Sequence, residues 1–422
     1  MQTQKTHLEE LRNTVGADNV REATAGDTID GVAPSLVVEP GSVEEISAVM
    51  KLARREGLAV CPRGGGTKTG LGAPPRSADI VVSMRRMDEI TEHVPGDQVV
   101  RVQAGVRLGD LQERLSQADQ MLAVDPPERG AGATVGGVVA ANSSGPRRYR
   151  YGTVRDLIIG ITVVLADGTV AKAGGKVVKN VAGYDLGKLF TGSLGTLGVI
   201  SDCNFRLHPR PQAARTVAVE VETPQAAQEA AQAIVHSQVE ATAVELHWGG
   251  EARLVSVLLE SIPGGIEAKE ERARFLLEPF GRVRSLEDEE ADNLGPLDPP
   301  DADDAAVKIG APPAELAAVV ESVLDAAERR SVTARLMGHA GTGVTFAGLS
   351  GGEGEISSVI TEVRDIWTRR GGSVIVRSAA PSLKEKLDVW GPAGDYGGLL
   401  RRVKEKFDPG YTMNPGRFVG GL

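Results

Sequence analysis

The chain has 422 residues, 41% hydrophobic and 25% charged, the make-up of a globular protein with room for two or three cores. A net charge of −10, from 47 basic and 57 acidic side chains, argues against nucleic acid as a partner. Cys61 and Cys203 are the only cysteines, too few for an all-cysteine iron–sulfur cluster, a four-cysteine zinc site or a disulfide framework. The first twenty residues contain no apolar core and no small-residue cleavage site, and no run of about 18 apolar residues occurs, so no signal peptide and no membrane span are expected. The expected location is cytoplasmic, with membrane attachment only peripheral, at the inner face, through a complex.

In chain order, "SLVVEPGSVEEISAVMKLARREGLAVCP" (35–62) reads strand, helix, strand. Ser42 and Glu45 form a capping box, Ile46, Val49, Met50 and Ala53 share a helical face, and Gly57 stops the helix. A glycine-rich loop follows. Strands are expected at 78–84 and 98–105, then a helix carrying Leu108, Leu111 and Leu115. From 123 to about Tyr151 the pattern predicts a long loop. Asp167-Gly168 predicts the turn of a hairpin within 154–174, and 195–211 predicts a closing strand. Composition changes near Pro211. Strands and helices then alternate, which predicts an α+β domain with an antiparallel sheet, interrupted by an acidic, Pro-rich stretch (285–306) expected to be an exposed loop. A helix and a turn-rich tail end the chain (399–418), and no internal repeat is evident.

The loop "PRGGGTKTG" (62–70) raises the first functional question, because bare amides after a strand can form an anion nest. It is no Walker A loop, since Lys68 follows Thr67 and Pro74-Pro75 prevent a helix from opening. Nor is it a dinucleotide fingerprint, because Thr69 stands where the third glycine belongs. Taken alone, it is as readily a surface turn. Two further small-residue segments, 133–152 and 175–200, favour a long ligand threaded across a sheet, where bulky side chains would collide.

These segments, with the terminal "FDPGYTMNPGRF", resemble the FAD-binding family of vanillyl-alcohol oxidase and p-cresol methylhydroxylase (PCMH). The likeness is to its glycolate oxidase and D-lactate dehydrogenase branch, and within that to the smaller FAD-binding subunit of bacterial glycolate oxidase. The resemblance implies an α+β fold: a two-subdomain PCMH-type FAD-binding module plus a ferredoxin-like α+β cap. The boundaries it implies are an N-terminal helical extension (1–33), the FAD-binding domain (34–210), a cap or substrate domain (211–394) and a tail returning to the FAD domain (395–422). It implies that Pro62, Arg63, Gly64, Gly65, Gly66, Thr67, Lys68 and Thr69 wrap the FAD diphosphate. Pro126, Ala133, Thr134, Gly136 and Gly137 would line the cofactor's other side, with Ser143, Gly145, Tyr151 and Gly152 near the flavin. Gly198, Val199 and Ile200 would meet the adenine side, and Asn414 and Arg417 would return with the tail. Some members attach FAD through a loop histidine; Thr67 and Lys68 stand there, so non-covalent FAD is expected.

The implied activity is oxidation of a small 2-hydroxy acid, glycolate or D-lactate, by hydride transfer to flavin N5. The implied partners are a larger FAD-linked glycolate oxidase subunit and an iron–sulfur subunit. Such chemistry needs a cation for the carboxylate and a base or metal for the hydroxyl proton. Catalytic members supply them from an H-x-G-x-G-x-x-H and a G-E-H-G stretch that together hold a divalent metal. Here Phe346 closes "HAGTGVTF", and Arg377 and Ser378 stand near the second stretch, so no metal is expected. Glu245 and His247 share a strand face but give two ligands at most. Arg377 as clamp and His339 as base remain the catalytic candidates. An alternative is a non-catalytic, FAD-holding electron-relay or assembly subunit beside a paralogous catalytic chain. A third reading, stand-alone sugar or lignan oxidation, is weakened by the missing loop histidine.

Overall fold

The structure is a computed structural model that describes residues 2–127, 130–176, 183–250, 252–294 and 304–422. It divides into two units: unit 1 comprises Met1–Ser143, Thr153–Pro209 and Pro392–Leu422, and unit 2 comprises Ser144–Gly152 and Arg210–Gly391. Among the described residues no helix is long and apolar enough to cross a membrane.

Unit 1 holds two principal sheets. In the first, the order is Val20–Glu22, Leu36–Val38, Ile80–Ser83, Val60–Arg63, with the last three strands parallel. The crossover between two of these strands is the helix Val43–Glu56. Ser42 Oγ accepts the Glu45 amide at 3.1 Å, the Glu45 carboxylate accepts the Gly41 amide at 2.7 Å, and Gly57 ends the helix at φ +67°. Its expected face, Ile46, Val49, Met50 and Ala53, is buried. The second sheet is antiparallel, in the order Glu92–Val94, Val99–Gln103, Gly198–Arg206, Ile158–Leu165, Val170–Gly174. Its hairpin turns at Gly168, φ +81°. The stretch expected as one long loop is broken by two short helices, Val135–Ala141 and Arg148–Tyr151. Its glycines and alanines hid the first, which Thr134 caps by accepting the Gly137 amide.

The C-terminal tail is bound into unit 1 by a buried ion pair. Lys404 Nζ donates to Asp408 Oδ2 at 2.7 Å and to the carbonyls of Thr196 (2.7 Å) and Met413 (2.9 Å). Asp408 in turn accepts the amides of Thr412 and Met413. Met413 then bridges in parallel to Val60 on the strand that feeds the glycine loop.

Unit 2 is built on one eight-stranded antiparallel sheet. Its order is Val283–Leu286, Ala213–Glu220, Ala252–Ser261, Ala243–Gly249, Thr333–His339, Val344–Ser350, Ala305–Gly310, Ser373–Ala379. The chain traces strand–helix–strand–strand–helix–strand twice, each half giving the same strand order, and the halves meet where Ala243–Gly249 pairs Thr333–His339. This duplicated ferredoxin-like topology is a repeat of shape that the sequence did not reveal. Alternation explains the two faces. Val217, Val219, Val255, Val257, Leu246, Leu336, Ala347 and Ile309 form the buried apolar set. A Cβ on Gly338 of that set would meet Leu316 of the helix Leu316–Glu328. The acidic stretch is not simply a loop. Ser285 and Leu286 belong to a strand, Asp288–Asn293 is helical, and Ala305 and Ala306 open another strand. Ala291 and Leu294 pack on Ala218, Leu254 and Leu286, giving the acidic segment an apolar anchor. Residues 295–303 lie outside the described residues.

Candidate functional site

Unit 1 contains a groove of about 990 Å³, counting its open mouth. Of the residues singled out from sequence, Pro62 to Thr69, Ala133, Thr134, Gly136, Gly137, Ser143, Gly198, Val199, Ile200, Asn414 and Arg417 line it. Pro126 is buried but does not line it. Gly145, Tyr151 and Gly152 fall in unit 2, where Tyr151 Oη donates to Glu260 Oε2 at 3.2 Å. They are drawn there by the Arg148–Tyr151 turn, which the loop expectation missed. Sequence reasoning also missed Ile29, Cys61, Met84, Ala104, Val138, Ala140, Ala141, Leu194 and Gly195. Of these, Leu194 carried a signal: it sits between glycines in "GSLG", and its φ is +52°. Most of the others are apolar side chains that any core would contain.

The glycines serve two purposes. A Cβ on Gly64 would lie 2.0 Å from Thr134 Oγ1, and one on Gly65 would lie 2.1 Å from the Gly132 carbonyl. Their bareness therefore lets the first small-residue loop press against the second. Their amides do the rest. Among the described residues, the N–H groups of Gly64, Gly65, Gly66 and Thr67 donate to no protein acceptor. Consecutive undedicated amides at a groove wall form an anion site. The lining includes Arg63, Lys68 and Arg417 and no carboxylate. Arg63 is already tied to buried Asp27 at 2.7 Å. Arg21, then Thr24 and Arg63, hold the Asp27 carboxyl far below the usual carboxylate range against the opposing effect of burial. Arg417 donates to the carbonyls of Thr69 and Leu71, and burial presses its guanidinium below its ordinary value. Asn414 (φ +40°) donates from Nδ2 to the Leu194 carbonyl at 2.7 Å and from its backbone amide to the Val60 carbonyl at 2.9 Å. Burial pushes the Cys61 thiol up to about 12, so it stays neutral. A long, mostly apolar groove with a run of spare amides and cations at one wall fits a flavin joined to a diphosphate.

Unit 2 brings together a second set of groups on the sheet face opposite the apolar set. Register places Glu245 beside His339 and beside Ser256, and places His247 beside Met337, which stands beside Phe346, which stands beside Lys308. His339 Nδ1 lies 2.5 Å from Glu245 Oε1, with both side chains nearly fully buried. A carboxylate can only accept, so Nδ1 is the donor in this bond and Nε2 is the nitrogen not engaged by Glu245. His247 Nε2 lies 3.0 Å from Ser256 Oγ, and burial lowers its pKa, so this ring stays neutral. The Phe346 ring meets the His339 ring edge-on, centroids 5.4 Å apart, and Arg377 lies over it at 5.1 Å. Arg377 is the extra residue where the strand pairing slips between Ala306 and Val307. Lys308 was missed from sequence, although a lysine inside the apolar run "AAVKIG" was a signal.

Residues 34–174 match the family described as FAD binding domain, and FAD is the cofactor of this module. Around that domain, the fold is the PCMH type: p-cresol methylhydroxylase with substrate bound superposes over 99% of this chain and 97% of that one, with a TM-score of 0.76 at 16% identity. In sequence, the chain is 31% identical to glycolate oxidase subunit GlcD of Bacillus subtilis over 55% of its own length and 51% of that protein. It is 36% identical to glycolate oxidase subunit GlcE of Escherichia coli over 40% of its length and 48% of that protein. The matches thus span about half the length of these relatives.

Proposed function

We propose that this chain is the FAD-binding subunit of a glycolate oxidase or dehydrogenase complex that oxidises a small 2-hydroxy acid, glycolate or D-lactate. The observation that carries this reading is the presence, in the same chain as an FAD-binding domain, of a sheet face holding a buried His339–Glu245 pair and a ring-stacked Arg377. The amides of Gly64 to Thr67 would hold the FAD diphosphate, with Lys68 and Arg417 supplying positive charge, and attachment would be non-covalent. When bound, FAD supplies a two-electron acceptor that takes the carbinol hydrogen as hydride at N5. His339 takes the hydroxyl proton at Nε2, and Glu245 stabilises the imidazolium that results. The alcohol thereby loses one hydride and one proton and becomes a carbonyl. Arg377 faces the carboxylate with a planar fork. Electrons leave through partners, a larger FAD-linked subunit and an iron–sulfur subunit, because two cysteines give this chain no cluster of its own.

The purified yellow protein, mixed anaerobically with glycolate or D-lactate, is expected to bleach at roughly 450 nm, the flavin band. Phe346, in place of the motif's second histidine, favours a second reading: an FAD-holding relay for a paralogous catalytic chain. In that case bleaching appears only when the partner is added. A preparation that turns over neither acid, with or without the partner, overturns both readings.

A further inference from the structure

The metal implied by the histidine motifs of the branch does not fit the residues present. His339 has committed Nδ1 to Glu245, the second histidine is Phe346, and Arg377 stands near the acidic–histidine pair. Among the described residues no group of three or more His, Cys, Asp or Glu side chains is placed to hold a metal ion. The same face instead collects positive charge around one ring. Arg377 lies over Phe346, and Lys308 stands directly opposite Phe346 in the strand register. Arg148, from the Arg148–Tyr151 turn of the same unit, acts on the Lys308 ammonium together with Arg377.

Lys308 is in an unusual position for a lysine. It is half-buried in a strand, and among the described residues its ammonium has no hydrogen-bond acceptor. Burial first, then Arg148 and Arg377, push it down to about 8 from an ordinary 10.5. A cation held among cations, with no carboxylate of its own and a side chain that still meets solvent, is a place where an anion would offset the repulsion.

We propose that this face is a metal-independent carboxylate site, in which Lys308, Arg377 and Arg148 supply the charge a divalent ion would supply and Phe346 is the platform that fixes it. The proposal rests on the 2-hydroxy-acid reading. It goes further by naming what replaces the metal and by assigning Lys308, which a motif comparison passes over. The ligand class is a small mono- or dicarboxylate. Guanidinium and ammonium groups offer fixed hydrogen-bond directions, so a planar carboxylate suits them better than a lone hydroxyl.

Oxalate is the probe, because it has the carboxylates but no C–H bond to lose as hydride. Titration calorimetry is run on the FAD-loaded 422-residue chain, with and without EDTA. Oxalate is expected to bind equally in EDTA, at least tenfold more weakly to Lys308→Gln, and within a few-fold of wild type to Lys308→Arg. FAD retention and thermal unfolding check that each variant is folded; the EDTA comparison needs no variant. Loss of binding in EDTA, wild-type affinity in Lys308→Gln, or no binding to the wild type overturns the proposal. A chain that binds oxalate through Lys308 yet is not bleached by glycolate keeps this site and loses the oxidation reading. Bleaching that stops in EDTA and returns with a divalent metal does the reverse.

Discussion

The two units hold their candidate sites by opposite means. In unit 1 the groove wall is main chain: glycine amides, with side chains excluded because another backbone lies 2.1 Å from where a Gly65 Cβ would stand. In unit 2 the site is side chains on a regular sheet face, brought together by register across strands far apart in sequence. At Gly64 and Gly65 the first kind of site tolerates no side chain at all. The second can exchange one chemistry for another, a histidine for Phe346 or a metal ligand for Arg377, while the sheet beneath is unchanged. That contrast shows how a chain can hold a cofactor module constant while the side chains of a second unit vary.

The largest expected effect breaks the first half of the comparison. Gly65→Val should abolish FAD retention, since its Cβ collides with the Gly132 carbonyl and forces the two loops apart. The purified variant would be colourless; one that stays yellow would remove the groove from the cofactor argument. Next comes the tail. Lys404→Met leaves Asp408 charged, buried and without its cation, which costs on the order of 3–5 kcal/mol. Chemical denaturation would measure this. FAD affinity should fall with stability, because Asn414 and Arg417 reach the groove through that tail.

This difference also decided what could be read from the sequence. The helix Val43–Glu56, the Gly168 hairpin and most of the groove were legible, because caps, turns and bare glycines are local signals. The helix Val135–Ala141 was hidden because its glycines read as loop. The resemblance placed Gly145, Tyr151 and Gly152 near the flavin, and the structure groups them with unit 2, which the chain enters at Ser144. Glu245 was noticed as a neighbour of His247, but its partner is His339, 94 positions away, and only the strand register shows that. The duplicated topology of unit 2 was invisible for the same reason: it repeats strand order, not residues.

The third prediction sharpens the second half of the comparison. Glu245→Gln should leave FAD bound and oxalate affinity nearly unchanged, because neither depends on the His339 proton. The rate of bleaching by glycolate should fall about 100-fold, the usual range for an impaired general base. A carboxamide no longer fixes the tautomer or stabilises the imidazolium. An unchanged rate would mean that His339 is a packed seam residue and that the relay reading is the better one.

The smallest effect separates a site residue from a structural one by its sign. Lys308 in the folded chain titrates at about 8, against 10.5 ordinarily, so the folded state binds its proton less tightly than the unfolded chain does. Below pH 8 both states are protonated, and the folded state bears the full penalty of a crowded, partly buried ammonium. Between about pH 8 and 10.5 the unfolded chain holds a proton that the folded chain has released, so stability rises with pH through this window and the penalty is gone above it. Lys308→Met removes the ammonium. It should therefore stabilise the protein at pH 7, by on the order of 2 kcal/mol, with the advantage over wild type shrinking as pH rises past 8. Denaturation midpoints of the two proteins at pH 7 and pH 10 measure this. A structural lysine would show the opposite sign, losing stability on substitution, and Lys308 would then belong with Lys404 as a residue that holds the fold together.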